Sequence, residues 1–413
     1  MTIAVFHPGM QHSRQTALAL QQLGRLAFYA TGIFDHEKSP WRRATAIAPA
    51  GVERAVETIF ARFATPGLDP ALVRDFPLYE LPERVLAKTG FAALARAFDR
   101  KANDRFGKRV AGLAKAEGAE ALWGFDNSSL SAFTDPRSKE AVKILDRTIA
   151  DWREWNAIVG AIEDTHGDWL DSSIRRAPRW LIERGEAEFA AADHILCGSD
   201  YVIETIVNHS SVEGVARKLR KLPYCFDAAG YGSLPHPRLR AKDEPARFLF
   251  AGQLSARKGI HHVLEAIDHL SPDEAVLTCV GPSQVPGAML GKYADRVEFM
   301  GNVSRREMPG IMARHDALVL PSYFEGSAIV LLEAMAAGLA IVSTPQAGSG
   351  PSAISGIRVE KPDTELVAGA MKQLAQDRER LFAMRQAARA EAGGYDHAAY
   401  CHNIAALLSD MGI

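Results

Sequence analysis

Cysteine is scarce in this 413-residue chain, and the four that occur, Cys197, Cys225, Cys279 and Cys401, lie far apart. No C-x-x-C pair exists, so neither a zinc site nor a disulfide framework is expected from cysteine spacing, and a reducing compartment suits the chain. There is no run of about 18 apolar residues, the length a membrane-crossing helix needs. Contact with a membrane would therefore be peripheral. The opening MTIAVFHPG reads as a first strand rather than a signal peptide. Charge of one sign is also missing: the net charge is −2, so no global field draws the chain to nucleic acid. No repeat of fixed period and no low-complexity tract is present. What remains, 47% hydrophobic and 24% charged residues, is the composition of a soluble globular enzyme. The length exceeds one ordinary core and points to two domains.

The most informative stretch is 315–347, HDALVLPSYFEGSAIVLLEAMAAGLAIVSTPQA. Asp316 to Leu320 is a short apolar run ended by Pro321 and suits a buried strand. A loop follows to Gly326, then a Leu/Ala/Met/Glu-rich helix from Ser327 to Ala337, stopped by Gly338. Leu339 to Thr344 reads as the next strand. Such a βαβ unit implies a parallel, open α/β sheet with ligands at the carboxyl ends of its strands. Glu325 ends the loop, and Glu333 sits inside an otherwise apolar helix. A carboxylate there either has a partner or lies on an exposed polar stripe, and spacing alone leaves both open.

Glu325 and Glu333, with Gly326 between them and EAMAAG after, resemble the E-x7-E motif of retaining glycosyltransferases of the GT-B fold, in the large family 4 group. The resemblance implies an α/β architecture of two Rossmann-like, doubly wound domains facing a cleft. It implies that Glu325 contacts the donor sugar or its phosphate region. Glu333 would bond the ribose hydroxyls, and the backbone amides of Ser327, Ala328 and Ile329 would hold the diphosphate. A helix N-terminus is physically suited to an anion.

Similar segments run through the C-terminal half. Arg247 to Ala251 reads as a strand, and Gly252-Gln-Leu-Ser-Ala-Arg-Lys-Gly259 after it resembles the family's G-R-L-x-x-x-K-G loop. Lys258 matches the lysine that reaches the donor phosphates. Gln253 stands where an arginine is usual, and Arg257 compensates in charge. Cations are wanted because a nucleoside diphosphate departs with developing negative charge; an exposed basic turn is the plainer alternative. Gly281 lies in a V-G-like turn, and Asn302 and Val303 lie in an F-x-G-x-V-like segment whose main chain borders the base. Ser304 with Glu307 forms a capping-box pattern for a helix to Arg314. Residues 361–392 read as helical.

In the N-terminal half, Thr2–Phe6, Ser13–Leu23 and Leu26–Ala30 read as strand, helix and strand, a doubly wound start. The loop after the first strand carries His7, Gly9 and His12; the resemblance implies that Gly9 and His12 face the acceptor. Ala119–Phe125 is a strand running into Asp126 and Asn127, which suit acceptor hydroxyls or cap the next helix. Val142–Ile149 is another strand. The family often places a His-Asp pair after it at the transfer site, so Asp151 and His166 are candidates for that role. Residues 82–110 carry eight Lys/Arg against three Asp/Glu with interspersed aromatics. They suit a basic amphipathic helix, with the aromatics either packed inward or set beside anionic lipid. Lys221–Asp227, KLPYCFD, resembles the segment that closes the first domain, with Cys225 in place of the usual glycine.

The expectations are thus a first domain over 1–230 for the acceptor, a second over 231–395 for the nucleotide sugar, and a final helix over 396–413 crossing back. The implied activity is retaining transfer from a UDP- or GDP-sugar to a glycan or lipid-linked hydroxyl in cell-surface polysaccharide or glycolipid assembly. Cofactors and metal are expected to be absent, because no D-x-D clamp occurs. The expected location is cytoplasmic, with peripheral contact through 82–110 at the inner membrane face. A nucleotide-sugar epimerase, a sugar-phosphate synthase and a non-catalytic nucleotide-sugar-binding subunit are the alternatives.

Overall fold

The computed structural model describes residues 1–9, 12–36, 39, 63–76, 92–171 and 174–413, with the backbone alone for 92–100. Two parallel sheets organise the chain. The first contains β1 (Ile3–His7), β2 (Leu26–Thr31), β3 (Val73–Asp75), β4 (Ala121–Phe125), β5 (Val142–Arg147), β6 (His194–Cys197) and β7 (Leu219–Lys221), in the order β3-β2-β1-β4-β5-β6-β7. The second contains β8 (Ala246–Ala251), β9 (Ala275–Val280), β10 (Val297–Gly301), β11 (Ala317–Leu320), β12 (Ala340–Ser343) and β13 (Gly356–Arg358), in the order β10-β9-β8-β11-β12-β13. All described pairings are parallel. Parallel sheets are covered on both faces, which is why β4 and β11 are buried at every position. The strand order reverses between β1 and β4 and again between β8 and β11. Crevices for ligands open at such points.

Local chemistry sets the element ends. The helix Ile329–Ala336 begins two residues later than sequence suggests, because Ala328 is extended and its N–H donates to Ala347 O at 2.9 Å. Gly338 ends it at φ +76°, where a Cβ would meet Pro237 Cγ at 2.7 Å. The helix expected from Ser304 starts only at Met308. Glu307 does reach back to Ser304 N at 2.9 Å, but this half of the capping box closes a turn rather than a helix. The helical run from Lys361 is two helices, Thr364–Gln376 and Arg378–Glu391, divided at Asp377, whose side chain caps the second through Arg380 N at 2.9 Å.

The first sheet buries aromatics such as Phe6, Phe28, Trp123 and Phe125. Phe106, from the helix Ala92–Glu117, packs between Phe6 and Phe76 with centroids 6.5 and 6.0 Å away. Where side chains are described, then, the apolar residues of the basic 82–110 stretch belong to the core and not to a lipid-facing stripe. Residues 82–91 lie outside the described residues. No helix among the described residues is long and apolar enough to cross a membrane. The last helix, His397–Asp410, packs Tyr400, Ile404 and Leu408 against the first sheet, with Tyr400 Oη 3.0 Å from Thr16 Oγ1.

The two sheets interlock. Phe324, from the loop after β11, inserts beside Trp152 and Trp155 at 5.9 and 5.3 Å. Trp169 reaches the other way, to His261 and Tyr293 at 5.8 and 6.3 Å. Ser199 Oγ donates to Gly326 O at 2.6 Å, and Tyr201 Oη donates to Tyr323 O at 3.2 Å.

Candidate active site

The loops after β8 and β11 meet at the second switch point. The chain leaves β8 through Gly252 and turns through the short 3-10 helix Ala256–Lys258 into Gly259, at φ +70°. A Cβ on Gly259 would sit 2.2 Å from Pro321 O, so glycine lets the two loops touch. Lys258 folds back under Gly252, which places its ammonium at the end of β8. Its Nζ lies 2.6 Å from Glu325 Oε1, and Arg257 Nη1 lies 2.9 Å from the same oxygen. Arg257 Nη1 also donates to Phe324 O at 2.6 Å. Burial alone would raise the Glu325 carboxyl; Lys258 and Arg257 outweigh it and hold Glu325 below its ordinary value. The triad carries one excess positive charge in a largely buried place.

Around it lie polar groups without partners. Ser327 Oγ, Ser255 Oγ, Ser322 Oγ and Gln346 Oε1 are buried with no hydrogen bond. Buried polar atoms are normally satisfied, so each of these is short of a partner. Of the three amides expected to cradle an anion, Ala328 N–H is taken by Ala347 O, a correction to the sequence reading. No backbone acceptor is found for Ser327 N or Ile329 N among the described residues. Gly326 has no room for a side chain, since a Cβ would lie 1.8 Å from Thr148 O across the domain boundary.

Glu333 lies on the same helix face as Ile329 and Val330, half-buried, and its carboxylate has no hydrogen bond or ion pair among the described residues. Burial pushes its pKa up, with Arg305 opposing and Asp227 adding to the rise. Arg305 also acts on His12 from across the cleft; with burial it holds His12 near 4, neutral at physiological pH. Arg305 did not stand out in the sequence, where the Arg305-Arg306 pair just after the β10 turn was the available signal; Asp227 ends the KLPYCFD segment. Gly281, at φ +136°, brings β9's end so near β8 that a Cβ would lie 1.9 Å from Gly252 O. Gln253 is half-buried without a side-chain hydrogen bond among the described residues; Asn302 is exposed and Val303 half-buried at the end of β10.

Across the cleft the candidates behave differently. Gly9 N–H donates to His7 Nδ1 at 3.0 Å, and His12 stacks on Tyr224 at 3.9 Å. Asp126 is 2% exposed; it accepts from Thr148 N, Thr148 Oγ1 and Asn127 Nδ2 and faces Arg147 Nη1 at 3.5 Å. Its oxygens are spent inside the domain, so it does not present a free carboxylate. Asn127, at φ +67°, gives its N–H to Glu188 Oε2 at 2.8 Å and keeps Oδ1 unpaired. Asp151 caps the helix Trp152–His166 through Arg153 N at 2.8 Å and pairs with Arg153 Nη2 at 2.8 Å. His166 ends that helix against His261 and His262. Among the described residues neither Asp151 nor His166 makes a polar contact with Glu325, Lys258 or Arg257: Asp151 is held by Arg153, and His166 packs on His261 and His262.

Residues 245–377 match the family described as Glycosyl transferases group 1. A glycogen synthase of Mycobacterium tuberculosis is 28% identical over 202 residues, 46% of each chain. A GDP-mannose-dependent alpha-(1-6)-phosphatidylinositol monomannoside mannosyltransferase of the same organism is 34% identical over 254 residues, 55% of this chain and 63% of the relative. The chain thus spans about half the length of the glycogen synthase it matches. The crystal structure of Anabaena Alr3699/HepE in complex with UDP superposes with a TM-score of 0.61 over 99% of this chain and 100% of that one, at 13% identity. The fold is GT-B, and the residues that match the group 1 model, 245–377, lie in its second half.

Proposed function

We propose that the chain transfers a sugar from a nucleoside-diphosphate sugar to an acceptor hydroxyl, with retention at the anomeric carbon. The observation that carries this reading is the Arg257–Lys258–Glu325 cluster at the second switch point, ringed by buried polar atoms that lack partners. Lys258 and Arg257 would meet the diphosphate, joined by Ser327 Oγ and the amides of Ser327 and Ile329. Glu325, kept ionised by the two cations, would orient the sugar. Glu333 is a carboxylate short of donors, and two ribose hydroxyls would supply them. Main chain at Gly281, Asn302 and Val303 would border the base. The UDP in the HepE complex and the GDP-mannose in the mannosyltransferase's name make UDP and GDP the nucleotides to test first.

In the transfer, the bond from the anomeric carbon to the diphosphate oxygen breaks and the acceptor oxygen bonds to the same face. The acceptor proton passes to the departing diphosphate. The engagement of Asp126 and Asp151 with their own domain supports this route, since neither is free to serve as a base. No metal is assigned a role at the phosphates, where Lys258 and Arg257 supply positive charge. His12, Gly9 and Asn127 Oδ1 are the acceptor-side groups, and a glycan or lipid-linked acceptor is in keeping with the mannosyltransferase's printed substrate. The test is nucleoside-diphosphate release from UDP- and GDP-sugars, with and without glycan and polyprenyl-linked acceptors, followed by NMR of the product's anomeric configuration. Acceptor-stimulated release with retention is expected. Tight donor binding without release would favour a non-catalytic subunit.

A further inference from the structure

Three imidazoles meet outside this cluster. One ring nitrogen from each of His166, His261 and His262 lies within 4.8 Å of the other two. Ring centroids are 4.6 Å apart for His166 and His261, 5.3 Å for His166 and His262, and 4.1 Å for His261 and His262. His166 ends the helix that leaves β5 of the first sheet; His261 and His262 lie in the helix Ile260–Ile267 that follows β8 of the second. The group therefore joins the two domains.

Their protons can be placed from the neighbouring hydroxyls. Thr364 Oγ1 gives its proton to Glu265 Oε2 at 2.6 Å, so toward His262 Nδ1, 2.8 Å away, it accepts. His262 then carries its proton on Nδ1 and a lone pair on Nε2. Thr165 is arranged alike: its hydroxyl donates to Ala161 O at 2.8 Å and accepts from His166 Nδ1 at 2.8 Å, leaving the lone pair on Nε2. His261 is fully buried, and its Nδ1 has no partner. Outer hydrogen bonds that fix the tautomer and ring orientation are what metal-ligating histidines use. Burial also depresses the basicity of His261 and His262, keeping both in the neutral form that ligates.

The geometry points to a site for a divalent transition-metal ion, of the zinc, cobalt or nickel class, held by His166, His261 and His262 and pinning the two domains together. Imidazole nitrogen suits these ions, whereas magnesium and calcium take oxygen. Three nitrogens leave a fourth position for water or for Tyr323 Oη, now 2.6 Å from His262 Nε2 and 3.4 Å from His261 Nε2. Cysteine spacing gave no hint of such a site, because its ligands come from two helices far apart in the chain.

The test uses the untagged, full-length protein stripped with chelator and titrated with Co2+, whose visible absorption reports low-coordinate nitrogen ligation. One Co2+ per chain is expected, displaced by Zn2+, and Zn2+ but not Mg2+ should raise the melting temperature. His166→Ala should abolish the absorption and the Zn2+-induced rise. His166 is the ligand to remove first, since deleting the fully buried His261 would mix ligand loss with a core cavity. Thr364→Val keeps all three rings and removes an outer partner, and should weaken Co2+ binding about 10–100-fold. Absence of stoichiometric binding would overturn the assignment. So would a Co2+ spectrum and affinity unchanged in His166→Ala. The readouts do not depend on sugar transfer, so this site and the proposed activity stand or fall separately.

Discussion

The ends of the two sheets face one cleft and treat their charges in opposite ways. At the end of the first sheet, Asp126, Asp151 and Glu188 are consumed by their own domain: Asp126 by Thr148, Asn127 and Arg147, Asp151 by Arg153, and Glu188 by the amides of Asn127, Ser129 and Leu130. At the end of the second, Lys258 and Arg257 share a single carboxylate, Glu333 has no partner among the described residues, and Ser327 Oγ is buried and unpaired. Polar residues at strand ends are thus of two kinds. Those that satisfy one another hold the loops in place, and those left short of partners are the ones we propose to meet a ligand.

The largest effect that sharpens this contrast is on stability. Asp126→Ala strands the buried Arg147 guanidinium and should cost about 3–5 kcal/mol in urea unfolding, as breaking a buried pair does. Turnover per folded molecule should change little by comparison; a collapse of turnover in a stable Asp126→Asn protein would break the contrast and restore Asp126 to the acceptor site. Next, Lys258→Ala should lower kcat by about 10²–10³-fold, the usual cost of deleting one group that stabilises developing negative charge. Glu325→Ala should fall in the same direction. Equal, minor losses at Lys258, Glu325 and Glu333 would sink the assignment. Glu333→Gln should act on binding, weakening nucleotide affinity by about 1.5–3 kcal/mol through loss of charge-assisted hydrogen bonds, with a smaller change in kcat. Asp151→Ala should cost about 0.5–2 kcal/mol of stability as a lost helix cap, read by thermal melts, and should spare donor binding.

pH separates the two regions as well. Burial raises Asp146 and Glu188 to about 7, well above ordinary carboxylates. The folded state therefore holds protons that the unfolded chain releases. Their contribution to stability is fully present below the unfolded values and is lost as pH rises through about 7. Glu325 has the opposite sign: its lowered pKa contributes stability above the ordinary carboxylate value, which is lost on further acidification. Melts between pH 4 and pH 8, with Asp146→Asn as the control, should show the first slope reduced.

The central parallel strands and the β8 and β11 loops were legible in sequence because fully buried strands read as unbroken apolar runs and because Gly259, Gly281 and Gly326 mark places where no Cβ fits, whereas the short, partly exposed edge strands β3, β7 and β13 were not. Lys258, Arg257 and Glu325 were singled out by the likeness of their loops to family motifs, and the structure brings the three side chains together. The first-domain candidates were not. Whether Asp126 or Asp151 is free depends on Arg147, Thr148 and Arg153, and a string of residues does not show which hydrogen bonds close. Arg305 and Asp227 beside Glu333, and His166 beside His261, come together only when the two sheets are set face to face.

Whether the Lys258 cluster holds a nucleoside diphosphate is tested by a thermal-shift titration of UDP and GDP against the wild-type chain and Lys258→Ala. A ligand bound only by the folded state adds about 2.7 kcal/mol at a hundred times its dissociation constant. One nucleotide should raise the wild-type melting temperature, and the shift should disappear in Lys258→Ala. An equal shift in both proteins, or none with either nucleotide, would contradict that assignment.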